Sequence, residues 1–143
     1  MRSRSAFTLI ELLLVIGIIS VLLVLTLQAV NPTRQLGATR NAQRSSDIQA
    51  ILNAVHQYGV DHRGNLPSSI PTSTPLSICQ TNAASCINGV NLNVLSGAYV
   101  VAIPHDPQAT GTGTLYTIVR DSSGRITVAA PHAELGETIS ISR

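Results

Sequence analysis

The sequence predicts an α+β fold. A long N-terminal helix, membrane-spanning in its first half and amphipathic in its second, packs on a small antiparallel sheet of about four strands. Three observations predict it. Phe7 to Val30 is an almost unbroken apolar run. From Ile48 to Tyr58 apolar residues recur at mostly three- and four-residue spacing, the period of a helix face. From Gly97 the period shifts to two, the period of strands.

The apolar run is the first element. Its 24 residues would span roughly 36 Å as a helix, against roughly 30 Å of hydrocarbon. A secretory signal has an apolar region of only about 7–15 residues and a small-residue cleavage site, for which "LTLQAVNP" is a weak match at best. No Cys follows to carry a lipid. A single-span N-terminal anchor is the plain reading, with Gly17 and Ser20 small enough for close helix approach. Charge does not orient it, because Arg2 and Arg4 precede the span while Arg34, Arg40 and Arg44 follow it.

Glu11 is the one acid in this run. Placing a charged side chain at the centre of a span costs about 2.5–3.5 kcal/mol, so an off-centre Glu either snorkels or awaits a positive partner. The span contains no cation. A cut before Phe7 would create an α-amino group four residues from Glu11. Amine and carboxylate could then neutralise each other, within one helix or between copies, where the pair would mark register. "RSRSAFTLIELLLVIGII" resembles the N-terminus of type IV prepilins and pseudopilins: a short basic leader, a small residue, Phe, T-L-I-E and an apolar helix. The resemblance implies cleavage between Ala6 and Phe7 by a prepilin peptidase, N-methylation of Phe7, and an assembly role for Glu11. It also implies a cytoplasmic leader and export of the mature chain into an extracellular filament. Ala6 stands where the family usually has Gly.

Pro32 ends or kinks the first helical segment, since it lacks a donor and clashes with the preceding turn. The helical pattern then resumes through Leu36, Ala42, Ile48, Ile51, Leu52, Val55 and Tyr58 until Gly64 and Pro67 stop it. Gly37 weakens this half locally. Arg34, Arg40 and Arg44 are expected on a solvated or subunit-contact face. The expected organisation is residues 1–6 as leader, 7–30 as membrane and assembly helix, 31–64 as amphipathic helix and 65–143 as globular head.

Residues 65–96 are turn-rich, with Pro67, Pro71 and Pro75, and read as a loop with at most a short helix near Val90–Leu95. Cys79 and Cys86 are its only thiols. A disulfide is expected outside the cytoplasm and would contribute roughly 2–3 kcal/mol; free thiols and half a metal site are the alternatives. No His–Cys spacing completes a zinc set. Residues 98–103, 114–121, 125–131 and 138–143 read as four strands, with Asp121–Gly124 a hairpin turn. Secretion-type pseudopilins resemble the "PHDP" at 104–107 followed by a Tyr-bearing strand; some bind calcium, but acids are sparse here and no metal is expected.

Composition bounds the function. All nine basic residues are Arg against seven acids, a formal charge of +2. Without Arg2 and Arg4 the count is seven against seven. A neutral body carries no strong nucleic-acid signal and suits packing against copies of itself. Phe7, Tyr58, Tyr99 and Tyr116 are the only aromatics, so the core is aliphatic and modest. His56, His62, His105 and His132 form no ligand pair at helical spacing, and His105–Asp106 reads as a solvated loop pair. No catalytic motif is present, and neither enzymatic activity nor a cofactor is expected. The reading is a structural subunit of a type IV pilus or pseudopilus. Its partners are copies of itself or related pilins, prepilin peptidase, the membrane and the pilus assembly platform. The alternative is a single-span, membrane-anchored extracellular binding module that does not polymerise. Major and minor subunits are not distinguished, nor are adhesion, motility, DNA uptake and secretion.

Overall fold

The structure is a computed structural model and describes residues 7–143; Ala6 and the expected leader lie outside them. The chain divides into two compact units, up to Leu36 and from Gly37 to Arg143.

The first unit is built on α1, Leu9–Val30. Thr8 is its N-cap, in extended conformation, with its hydroxyl accepting from the Glu11 amide at 3.3 Å. Asn31 ends the helix in the left-handed region, at φ 45°. α2, Pro32–Asp61, starts immediately after it. Pro32 takes the first helical position, where no amide hydrogen is needed, and Asn31 Oδ1 accepts from the Arg34 amide at 3.3 Å. The break expected at Pro32 is therefore made by Asn31, and Pro32 opens the second helix rather than disrupting the first.

In the second unit α2 runs on to Asp61, where the Gly64 amide bonds back to the Gly59 carbonyl at 2.7 Å with Arg63 left-handed at φ 58°. Its buried face steps through Gly37, Asn41, Arg44, Ile48, Ile51, Val55 and Gly59. Leu36 and Ala42, expected on this face, are exposed. The sheet is an antiparallel meander in the order β1 Leu76–Cys79, β2 Gly113–Arg120, β3 Ile126–Ala130 and β4 Ile139–Ser142. β2 alternates cleanly, with Thr114, Tyr116 and Ile118 inward; Ile126, Val128 and Ala130 of β3 point the same way. These residues meet Ile48, Ile51, Leu52 and Val55 of α2 in one core.

Three strands fall where expected, but the fourth does not. Residues 98–103 form turns and bends, with Val101 93% exposed. The fourth strand is β1, inside the segment read as loop. It pairs with β2 across an irregularity between Ser77 and Cys79. A short 3-10 turn at Asn93–Leu95 answers the helix expected near Val90–Leu95. The hairpin at Asp121–Gly124 forms as expected: Asp121 Oδ1 accepts from the Ser123 and Arg125 amides at 2.9 Å each.

Candidate functional site

Every described side chain of α1 is exposed, although Leu9–Ala29 has a mean hydropathy of 2.9 and meets the length and composition of a membrane span. Its two hydroxyl side chains bond back to the helix's own carbonyls, as hydrocarbon favours. Ser20 Oγ donates to the Ile16 carbonyl at 2.7 Å, and Thr26 Oγ1 to the Leu23 carbonyl at 2.8 Å. A Cβ on Gly17 would meet nothing within 4 Å, leaving that surface open to a neighbouring helix. Phe7 lies exposed just outside the helix. Glu11 sits in the first turn of α1.

Residues 1–27 match the prokaryotic N-terminal methylation motif. This motif is the type IV pilin and prepilin signature, and it takes in Ala6, Phe7 and Glu11. With one apolar helix behind it, the motif fits a membrane-anchored, pilin-like precursor, and it points to a structural subunit rather than an enzyme. Comparison with curated proteins and with solved structures returns no match.

In the head, Cys79 and Cys86 are joined by a disulfide with a Cα–Cα distance of 5.8 Å. The bridge closes a loop that returns along β1: the Cys79 amide donates to the Val90 carbonyl at 3.0 Å, and the Val90 amide to that of Ser77 at 2.8 Å. That covers the outer edge of β1. Gly89 is required by this closure, since a Cβ there would lie 2.6 Å from Cys79 Sγ.

The arginines of α2 correct the solvated-face expectation. Arg44 is 0% exposed. Its Nε and Nη2 grip both oxygens of Asp106, Nη1 reaches Asn41 Oδ1 at 2.9 Å and Glu134 Oε1 at 3.1 Å, and Nη2 also reaches Gln108 Oε1 at 2.8 Å. Arg40, part-buried, makes a two-pronged bond to Glu134 at 2.7 and 2.6 Å. Asp106, expected in a solvated pair with His105, is wholly buried while His105 is exposed. Arg34 alone of the three stays exposed as expected.

The charges in this cluster hold one another in the ionised form. Arg40, then Arg44, hydrogen-bond Glu134 and pull its carboxyl down to about 2 against a weaker push from burial. Burial pushes Asp106 up, but the Arg44 guanidinium and the Gln108 amide together outweigh it and hold it below the usual carboxylate range. Beside them, Tyr116 donates its buried hydroxyl to Asp47 Oδ2 at 2.7 Å, and burial with that acid raises its pKa. No motif marks this cluster, because Arg40 and Arg44 lie 62 to 94 residues from their acid partners. One signal was available: Asn41 and Arg44 continue, at helical spacing, the apolar stripe that Ile48 begins.

Proposed function

We propose that the chain is a structural subunit of a type IV pilus or pseudopilus, inserted as a precursor and assembled through α1. Prepilin peptidase hydrolyses the Ala6–Phe7 peptide bond, and the freed Phe7 amine is methylated. The apolar helix then moves from lipid into a bundle of like helices, at little cost because both are apolar surroundings. The observation that carries this reading is the methylation motif lying on a fully exposed apolar helix. In the assembled state the Glu11 carboxylate is balanced by the terminal amine of a neighbouring copy, which sets register.

Two measurements test the reading. The intact mass of chains sheared from the cell surface is expected to correspond to a methylated Phe7 start. A retained leader in that material favours the anchored binding module instead. Glu11→Gln is expected to insert into membranes normally yet give no sheared filaments; an unchanged filament yield overturns the register role.

A further inference from the structure

The head, Gly37–Arg143, holds six arginines and six acids, but the fold separates them into poles. Arg120 ends β2 opposite Ile126 of β3, and Ile126 exchanges both backbone bonds with Arg143. Arg125 follows the hairpin turn. Gly124 of that turn shares a groove of about 320 Å³ with His56, Gly59 and Gly64 of the α2 end, which brings Arg63 to the same side. All four arginines are exposed. The acids at this end are Asp61 and Asp121, so four positive less two negative gives +2. The other end carries Asp47, Asp106, Glu134 and Glu137 against Arg40 and Arg44, which is −2; Asp47, Asp106 and Arg44 are buried there, and Glu137 is its exposed acid. Asn41 and Gly59 are 18 residues apart along α2, so the poles are separated by about 27 Å. The neutral total read from composition conceals this polarity.

The negative pole also carries a receptive surface. A groove of about 390 Å³ runs between Ala38, Ala42 and Ser45 of α2 and Ile139 and Ile141 of β4, with the exposed Glu137 on its wall. β4 is an outer strand. Arg143 exchanges both backbone bonds with Ile126, so by antiparallel alternation the amides and carbonyls of Ser140 and Ser142 face away from β3. Such an edge can accept another chain.

The geometry points to a head-to-tail contact between copies of this chain, in which the arginine pole of one head docks at the Glu137 groove of the next. The inference rests on the filament reading and names a head contact for it. Opposite poles on one chain make a heterologous interface, which propagates an open filament wherever its rotation does not close into a ring. The poles steer encounter and discriminate register through charge. A polyanion would use the arginine pole and leave the Glu137 pole without a role; the presence of both on one head favours a second copy.

The test uses full-length chains that differ at one pole. Glu137→Arg alone, and Arg120→Glu with Arg125→Glu alone, are each expected to lower sheared-filament yield about tenfold, by placing like charges together. Co-expressed, the two variants present complementary poles to each other, and yield is expected to return to within about twofold of wild type. Failure of the mixture to recover, with both heads unfolding at the wild-type temperature, overturns the contact, as do undiminished single-variant yields. Should a reversal unfold the head, Glu137→Gln and Arg125→Ala decide instead. They are expected to lower the salt concentration at which filaments dissociate, and no change overturns the contact. Retention of an oligonucleotide by the arginine pole, with assembly indifferent to Glu137→Arg, overturns it in favour of a polyanion. Loss of the filament reading looks different: the wild-type chain itself then gives no filaments.

Discussion

Arg44 has five N–H donors and makes five bonds, to Asp106 twice, Gln108, Asn41 and Glu134. A buried guanidinium is tolerated only when satisfied to this degree, because an uncompensated charge in the interior is costly. Arg44→Ala would leave Asp106 buried beside a cavity, and we expect it to destabilise the head by about 3–5 kcal/mol in denaturant unfolding of the full chain. Arg44→Met with Asp106→Leu removes both charges and is expected to recover most of that loss. The same cluster makes the head acid-sensitive. Glu134 and Asp106 both ionise more readily folded than unfolded, so the folded state holds fewer protons. Their contribution is complete above the unfolded carboxylate values near about 4 and is lost as pH falls toward about 2, the folded value of Glu134. Unfolding midpoints measured from pH 6 to 2 are expected to drop across that window, and Glu134→Gln is expected to flatten the drop. Residue type alone does not mark the cluster, since Arg40 and Arg44, four apart on a helix, read as a surface pair unless their distant partners are known.

At the level of elements, local pattern and non-local pairing gave different answers in the head. β2, β3 and β4 were legible because their alternation coincides with a buried face and a turn with its own hydrogen bonds joins the first two. "AYVVAI" also alternates, but Val101 has nothing to pack against, and the segment folds into turns with only a Ser96–Val100 bridge. β1 was illegible for the opposite reason: four residues in a proline-rich stretch become a strand only through β2 on one side and Val90 on the other. The Cys79–Cys86 bridge ties that second partner down. Gly89→Ala is expected to be disruptive, since its methyl would also lie 3.0 Å from the Ser77 carbonyl oxygen. We expect a lower unfolding midpoint and faster reduction of the disulfide by dithiothreitol than in wild type. Equal reduction rates would show that the loop closes without that close approach.

The molecule as a whole keeps two apolar surfaces for two destinations. The head buries its own, in a core whose residues run from Ile48 to Ala130 and include nothing from α1. The described side chains of α1 bury none within the chain, and a stripe of leucines, isoleucines and valines of that length is not stable in water by itself. Solubility and stability are therefore assigned to different parts of the sequence. A chain beginning at Gly37 retains Asn41, Arg44, the whole core, the sheet and the disulfide. Of α2 it loses only Pro32–Leu36, about one and a half turns, a change on the scale of a helix cap, about 1 kcal/mol. We expect this fragment to be soluble without detergent and to unfold cooperatively within about 4–8 °C of the full chain's midpoint. The full chain is expected to need detergent or membranes under the same conditions. A fragment that aggregates, or that melts without a cooperative transition, would mean that the head borrows its stability from the N-terminal helix.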